Sequence, residues 1–266
     1  MPITCVEQGQ KINLAAFDAD DTGPLKGKEE AKALLAQNIE RMAELQNILY
    51  AENKRALLIV LQAMDAGGKD GAIRKIMSGV NPQGVRVTSF KKPTEEELAH
   101  DFLWRIHKAV PARGMIGIFN RSHYEDVLVV RVRELAPKEV WQARYEHINN
   151  FERLLVDSGV SILKFYLHIS KEEQKDRFEA RLHQPHKRWK FNPADLDERA
   201  RWQEYMQAFE AVFEKCSTGI APWYIVPANK KWYRNVAISE AIVKTLEGFN
   251  MAYPEPVSDL DNIVIE

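Results

Sequence analysis

Short apolar runs alternate with longer amphipathic stretches along most of the chain. The first run, residues 57–61, is apolar at every position, as expected for a strand that is covered on both faces of a parallel sheet. The five predicted strands are 57–61, 84–90, 115–119, 161–168 and 222–226. The predicted helices lie at 28–54, 69–78, 94–109, 137–157, 171–182, 193–215 and 235–249. Strands separated by helices predict an α/β fold with a parallel five-stranded sheet.

The two ends of the chain depart from this alternation. Residues 1–26 look irregular and include the acidic, turn-rich stretch 18–24, which predicts a surface arm. The tail, residues 254–266, is acidic and contains proline, and we expect it to lie on the surface. We expect residues 1–266 to form a single domain.

Charge and composition narrow the classes of function. The chain has 266 residues, with 37 Lys and Arg against 38 Asp and Glu, and a net charge of −1. A chain so balanced does not carry the overall positive potential by which many proteins attract nucleic acid. Any site for a polyanion must therefore be a local cluster of positive charge. Two cysteines exclude a disulfide scaffold. The longest apolar run, residues 56–61, falls far short of the ~20 residues of a membrane span, and no export signal is visible, so we expect a cytoplasmic protein without a membrane partner.

A glycine-rich loop follows the first predicted strand and leads into a predicted helix. Backbone N–H groups at a helix N-terminus bind anions, and Gly67 and Gly68 let the backbone approach an oxyanion closely. Lys69 adds a charge that can reach a transferring phosphoryl group. The sequence predicts a phosphate site here; the alternative is a tight turn with a solvated Lys–Asp pair.

The match of this loop to the P-loop pattern G-x-x-x-x-G-K-[ST] is partial. Ala63 replaces the first glycine and Asp70 replaces the Ser or Thr whose hydroxyl would bind magnesium. Asp65 and Asp70 place carboxylates beside the lysine instead.

Polar residues also follow the third predicted strand, at the edge where open α/β sheets place ligands. Asn120 stands where a metal-binding aspartate would be expected, so Asp126 is the better candidate to hold Mg²⁺. Arg121 is a candidate to neutralise phosphate charge.

A local excess of positive charge follows the fourth predicted strand. Arg177 and Arg181 are four residues apart on a predicted helix, so they share one face, and a basic loop with aromatic residues follows at 184–191. Such a helical arm predicts a lid, about 177–213, over the phosphate site; the alternative is a solvated helix face. Further cations at the same sheet edge, candidates to line a track for a long polyanion, are Lys91, Lys92, Lys230, Lys231 and Arg234.

Four motifs in this order resemble the polyphosphate kinase 2 family, the polyphosphate-dependent nucleotide phosphotransferases. They are residues 62–71, 119–132, 189–196 and 221–235, and the resemblance spans roughly residues 28 to 250. It implies a thymidylate-kinase-like P-loop core, with three α/β/α layers and a helical lid. It also implies reversible, Mg²⁺- or Mn²⁺-dependent phosphoryl transfer between inorganic polyphosphate and a nucleotide.

The resemblance also implies roles for individual residues. Asp65 would orient the accepting phosphate and the metal or act as a base, Lys69 would bind the transferring phosphate, and Asp126 would hold the metal together with Asp65. The arginines that would stabilise developing charge are Arg121, Arg177 and Arg181. The residues that would bind phosphate or nucleotide are Ala66, Gly67, Gly68, Lys69, Asp70, Gly71, Asn120, Lys187 and Lys190.

The acceptor and the assembly are less closely defined. Residues 123–129 resemble the branches of the family that accept AMP, and we expect AMP and ADP as acceptors, with guanine nucleotides left open. Two alternatives remain, an ATP-dependent nucleoside monophosphate kinase and a non-catalytic nucleotide- or polyphosphate-binding module. We expect a homo-oligomer, a dimer or a tetramer, without a nucleic-acid partner.

Overall fold

The fold is built on one mixed sheet. The structure, a computed structural model, describes residues 3–256 together with residues 260 and 265. Its strands are β1 (Thr4–Cys5), β2 (Ala56–Gln62), β3 (Val85–Ser89), β4 (Ile116–Asn120), β5 (Val160–His168) and β6 (Trp223–Pro227). They lie in the order β1-β6-β5-β2-β4-β3; β2 to β6 pair in parallel and β1 pairs antiparallel with β6. The predicted α/β fold with five parallel strands is confirmed, and β1 adds a sixth strand.

Ten α-helices occupy the described part of the chain. They are α1 (Lys28–Glu52), α2 (Lys69–Ile76), α3 (Glu95–Leu98), α4 (Trp104–His107), α5 (Val129–Val132), α6 (Lys138–Asp157), α7 (Lys171–His183), α8 (Ala194–Ala200), α9 (Trp202–Cys216) and α10 (Lys231–Gly248). Short 3-10 helices lie at Leu14–Ala16, Pro82–Gly84, His123–Val127 and Pro185–Lys190.

Two predicted helices are each divided in the structure. The predicted helix 94–109 forms α3 and α4, because the Asp101 side chain accepts a hydrogen bond from the backbone N–H of Leu103 at 2.9 Å and stabilises a turn between them. The predicted helix 193–215 forms α8 and α9, with Arg201 between them at φ −89° and ψ 22°. The last helix begins at Lys231, earlier than predicted.

Helices cover both faces of the sheet, and the central strand β2 supplies side chains to both cores. Ala56, Leu58 and Val60 pack into the core under α6 and α9, whereas Leu57, Ile59 and Leu61 pack into the core under α1, α2 and α10. Because successive side chains of a strand point to opposite faces, a strand between two helical layers must be apolar at every position. This is why the run 57–61 is continuously hydrophobic.

The N-terminal arm is packed rather than loose on the surface. Thr4 and Cys5 pair with β6, and Val6 and Leu14 are each 1% exposed. The acidic stretch 18–24, which predicts a surface arm, is mostly exposed, whereas Val6 and Leu14 are buried singly and give no periodic pattern. The predicted surface tail falls largely on residues 257–259, 261–264 and 266, which lie outside the described residues.

Within the described residues, no helix combines the length and apolar character that a membrane crossing needs.

Replacing Leu49 by alanine tests the core beneath α1. Leu49 is fully buried against α10 and the sheet, so Leu49→Ala should lower the free energy of unfolding by about 2 to 5 kcal/mol through lost burial and a residual cavity. The measurement is urea denaturation followed by circular dichroism. Asn47→Ala, at an exposed position of the same helix, is the control and should change the free energy by less than about 0.5 kcal/mol. Equal effects of the two substitutions would contradict this packing.

Candidate active site

A cleft of about 560 Å³ lies at the carboxyl ends of the parallel strands. It lies between the loop after β2, the end of β4 and the α7–α8 segment, at the edge where parallel sheets place ligands. Ten cationic side chains line it: Lys69, Arg74, Lys91, Arg121, Arg177, Arg181, Lys187, Lys190, Lys231 and Arg234. Three carboxylates line it as well: Asp65, Asp70 and Asp195. In a chain with a net charge of −1, this excess of cations marks a polyanion site.

The loop between β2 and α2, residues 63–68, is the phosphate loop of the cleft. It turns sharply, because Gly67 N–H donates to the carbonyl of Met64 at 3.0 Å and Gly68 has a left-handed φ of +98°. A Cβ atom on Gly67 would meet Met64 O at 2.8 Å, and one on Gly68 would overlap the Arg234 guanidinium. Gly67 is therefore required because a side chain would not fit there. Gly68 is required both for space and for its left-handed backbone angle.

Lys69 begins α2 and is buried at the base of the cleft. Its Nζ donates to the carbonyl of Ala63 at 2.9 Å, which ties the ammonium across the phosphate loop. Burial, and next the nearby Arg121, lower the pKa of Lys69 to about 8. The ammonium is therefore charged at neutral pH but poorly solvated, and an anion in the cleft would replace the missing water.

Asp65 and Arg121 face each other across the cleft. Arg121 Nη2 donates to Asp65 Oδ1 at 2.6 Å. The Arg121 backbone has a φ of +62°, an unusual conformation for a residue other than glycine, and the backbone turns there directly after β4. Nearby carboxylates, Glu125 first, raise the pKa of Arg121, so its charge is secure.

Two amide side chains orient carboxylates near the cleft. Asn120 Nδ2 donates to Asp70 Oδ1 at 2.6 Å, and Gln62 Nε2 donates to Glu125 Oε1 at 2.9 Å. The Glu125 carboxylate raises the pKa of Arg121 and partly offsets the lowering of the Lys69 pKa by burial, so it lies near both cations. Sequence analysis did not select Glu125 as a site residue. Its position next to Asp126, shortly after the end of a strand, could have indicated that it lies near the site.

Arg177 fastens the phosphate loop to the end of β6. Its Nη1 donates to the carbonyl of Ala66 at 3.0 Å and its Nη2 to the carbonyl of Ala228 at 2.7 Å. Gln174, one turn earlier on α7, donates to the carbonyl of Asp65 at 2.9 Å. The predicted charge-stabilising residue is thus also a clamp on the loop.

Arg234, on α10, approaches the loop from another side. Its Nη1 donates to the carbonyl of Gly68 at 3.2 Å, and its Nη2 donates to Asn235 Oδ1 at 2.7 Å. Burial, and next the nearby Arg177, lower the pKa of Arg234 to about 10.

The basic segment between α7 and α8 forms one wall of the cleft. Arg181, near the end of α7, lines the cleft beside Lys187 and Lys190 of this segment, and its Nη1 donates to Asp195 Oδ2 at 3.2 Å. Sequence analysis missed Asp195, a wall carboxylate whose pKa is raised by burial and by Asp65. Within the segment predicted as a lid, the Arg181–Asp195 pair thus links α7 to α8.

Asp126 is the one predicted site residue that does not line the described cleft. It accepts a hydrogen bond from Arg144 Nη1, on α6, at 3.0 Å, and burial raises its pKa to about 6. The charges of Arg144 and Arg105 partly offset this rise in the pKa of Asp126. Asp126 is directed to these arginines because it lies in the 3-10 helix 123–127, where adjacent side chains point to different sides. The structure therefore does not place the Asp126 carboxylate beside Asp65 in the cleft lining, and a metal shared by the two stays a prediction.

The predicted cationic track is present only in part. Lys91, Lys231 and Arg234 line the cleft. Lys92 instead lines a neighbouring groove of about 410 Å³ beside β3. Lys230 pairs with Asp20 of the N-terminal arm at 2.9 Å, outside the cleft lining.

A magnesium ion fits the oxygen atoms of this cleft. Among the described residues, no group of three or more His, Cys, Asp and Glu side chains forms a metal cage. Mg²⁺ is usually bound by one or two carboxylates together with substrate phosphates, which this arrangement satisfies. Asp65 and Asp70 supply carboxylates at the phosphate loop, and Asn120 lies beside Asp70.

Gly68→Ala should remove anion binding from the cleft. The substitution strains a left-handed backbone and drives a methyl group into the Arg234 guanidinium, so the affinity for tripolyphosphate should fall by at least about tenfold in calorimetry. Gly71→Ala is the matched control, since its Cβ would meet only Arg234 Nη2, at 3.8 Å, within ordinary contact. Unchanged affinity in Gly68→Ala would show that the loop does not hold the anion.

The fold and the cleft have counterparts in known proteins. The sequence profile described as Polyphosphate kinase 2 matches residues 25–254. The chain is 55% identical to the AMP/ADP-polyphosphate phosphotransferase of Meiothermus ruber, with 98% of each chain covered. It is 45% identical to the ADP-polyphosphate phosphotransferase of Rhodopseudomonas palustris, covering 94% of this chain and 91% of the relative.

A solved structure agrees with the sequence comparisons. The crystal structure of Polyphosphate Kinase 2 from Arthrobacter aurescens TC1 superposes with a TM-score of 0.93 at 47% identity, covering 96% of this chain and 92% of the other. The family profile, the two relatives and the superposed fold therefore agree, and the chain belongs to the polyphosphate kinase 2 family.

Proposed function

We propose that this protein transfers the terminal phosphoryl group of inorganic polyphosphate to AMP or ADP, giving ADP or ATP, in a reversible reaction. The observation that carries the proposal is the cleft itself, in which ten Lys and Arg side chains surround a glycine-rich loop. The printed names of the Meiothermus and Rhodopseudomonas relatives support the same donor and acceptors. The proposal includes a cytoplasmic location and a homo-oligomeric state.

The lining of the cleft favours polyphosphate over ATP as the donor. A donor adenosine needs an apolar pocket, but Phe90 is the one aromatic ring among the cleft-lining residues in the described part of the chain. Ser89, Phe90 and Lys91 are shared with the groove beside β3. That groove adds four further cations, Arg86, Lys92, Arg105 and Lys108. Glu96 and Glu97 also line the groove, but its cations outnumber them, which suits a phosphate chain that extends beyond the reacting group.

The residues of the cleft supply what phosphoryl transfer requires, which is alignment of the two phosphates and neutralisation of charge. The backbone N–H groups of the phosphate loop and Lys69 Nζ would hold the transferring group. Arg121 would contact the oxygens on which charge develops, and Asp65 would hold Arg121 in place through their contact. Arg177 would keep the loop in its anion-binding shape.

A bound Mg²⁺ would supply positive charge that neutralises the phosphates. Asp65 and Asp70 are the residues that would hold it, with Asn120 fixing the Asp70 carboxylate.

The lid would close on the substrates. Arg181, Lys187 and Lys190 stand on one wall and would turn toward bound phosphates, which would exclude water from the transfer. Asp195 would release Arg181 when a phosphate competes for the guanidinium.

The deciding experiment is a transfer assay with purified protein, Mg²⁺, and AMP or ADP, with polyphosphate or ATP as the donor. We expect nucleotide phosphorylation with polyphosphate and little with ATP. Lys69→Ala should abolish the reaction without unfolding the protein, while Lys75→Ala, at an exposed position of the same helix, should not affect it. Equal rates with ATP would favour a nucleoside monophosphate kinase, and binding without turnover would favour a non-catalytic module.

Asp65 and Asp126 should differ in their importance for turnover. Asp65→Asn removes a carboxylate from the cleft and should lower kcat by about 100-fold, with a raised Mg²⁺ requirement. Asp126→Asn removes a carboxylate that faces Arg144 and should lower kcat by less than about threefold. Initial rates over a Mg²⁺ titration measure both effects. If the two substitutions lowered kcat by similar factors, Asp126 would instead be assigned to the metal site.

The pKa of Lys69 predicts how activity depends on pH. Its pKa is lowered to about 8, and the ammonium is charged below that value, so kcat/KM for polyphosphate should fall as pH rises through about 8. Lys69→Arg, whose guanidinium stays charged, should be slower at every pH but should not show this decline. A profile of the unmodified protein that stays flat from pH 7 to pH 10 would contradict the assignment.

A further inference from the structure

A buried ion pair lies beneath the segment that carries Arg121 and Glu125. Lys164, on β5, and Glu152, on α6, are 0% and 1% exposed, and Lys164 Nζ lies 2.6 Å from Glu152 Oε2. Removing two charges from water is costly, and replacing such a pair by apolar side chains is often neutral or stabilising. Stability therefore does not by itself explain why two charges lie in this core.

The hydrogen bonds of the pair converge on His123 and Tyr124. The Tyr124 hydroxyl donates to Glu152 Oε1 at 2.8 Å and accepts from Lys164 Nζ at 2.8 Å. His123 Nε2 lies 3.2 Å from the same Glu152 oxygen, and burial lowers the pKa of His123, so its neutral ring donates through Nε2. Lys164 also donates to the carbonyl of Cys216 at 2.7 Å.

His123 and Tyr124 stand between Arg121 and Glu125 along the chain. The left-handed backbone of Arg121, with φ +62°, is strained, and such conformations persist only where the surroundings fix them. Immediately after Tyr124, Glu125 accepts its hydrogen bond from Gln62. An anchor at His123 and Tyr124 therefore fixes Arg121, which lines the cleft, and Glu125, which lies near it.

We propose that Glu152 is a positioning residue of the active site, which acts through Tyr124 and His123 to hold Arg121 and Glu125. Lys164 fixes the position of the Glu152 carboxylate through their ion pair. The kinetic consequence rests on the proposed phosphoryl transfer, whereas the positioning itself concerns only this chain.

Two double variants without the ion pair test the proposal. Glu152→Gln with Lys164→Met keeps a side-chain oxygen that accepts from Tyr124 and His123. Glu152→Leu with Lys164→Met removes that oxygen as well. Both variants lack the buried charges, so they differ mainly in whether Tyr124 and His123 keep their acceptor.

The Leu variant should have a kcat at least about tenfold below that of the Gln variant, with KM values for nucleotide and polyphosphate within about twofold. Activity is expressed per folded molecule, with thermal unfolding as the control. A purely structural pair would give both variants the same activity per folded molecule, and that result would overturn the proposal.

If the Leu variant does not fold, Tyr124→Phe carries the test. It removes only the hydroxyl that joins Tyr124 to Glu152 and Lys164. Positioning predicts that kcat falls by about tenfold with little change in KM and melting temperature. Unchanged kcat would overturn the proposal.

Crystal structures of the folded variants provide a measurement independent of activity. The 2.6 Å contact between Arg121 Nη2 and Asp65 Oδ1 should persist in the Gln variant and be lost in the Leu variant, or in Tyr124→Phe where that variant carries the test. Its persistence in every variant would overturn the positioning role. Absence of polyphosphate-dependent transfer by the unmodified protein, with the contact behaving as expected, would instead refute the proposed function alone.

Discussion

The mutual repulsion of closely packed cations is the constraint around which the site is built. Arg177 contributes to lowering the pKa of Arg234, and Arg121 contributes to lowering that of Lys69. Backbone carbonyls of the phosphate loop and of the β6 end offset this repulsion, because they accept hydrogen bonds from the same cations. The site is therefore arranged in advance for an anion with many oxygens.

The rest of the fold keeps these charges from moving apart. β2 is packed into cores on both of its faces, so the loop at its end starts from a fixed point. α7 and α10 then reach the loop from different sides through Arg177 and Arg234. On the β4 side of the cleft, the buried Lys164–Glu152 pair supports the segment after β4 through His123 and Tyr124. Rigid secondary structure, rather than the loop alone, sets the geometry of the site.

Sequence reasoning found the strands, the phosphate loop and most of the cleft because each has a local signal. A continuous apolar run marks β2, and Gly67-Gly68-Lys69 marks the loop at its end. The sequence does not show which side of a 3-10 helix a residue occupies, so it gave no sign that Asp126 faces Arg144. Glu152 and Lys164 could not be found, since charged residues inside amphipathic patterns look solvent-facing until the fold buries them. Val6 and Leu14, buried singly, gave no periodic pattern.

The pairing of β1 with β6 has a consequence for how the chain is made. Thr4 lies opposite Ile225, so the partner of the first strand leaves the ribosome long after that strand itself. At ~5 to 20 residues per second, the N-terminal arm waits roughly 10 to 40 seconds without its partner strand. During that interval its backbone and Val6 are uncovered, and completion of the sheet edge is a late step of biosynthesis.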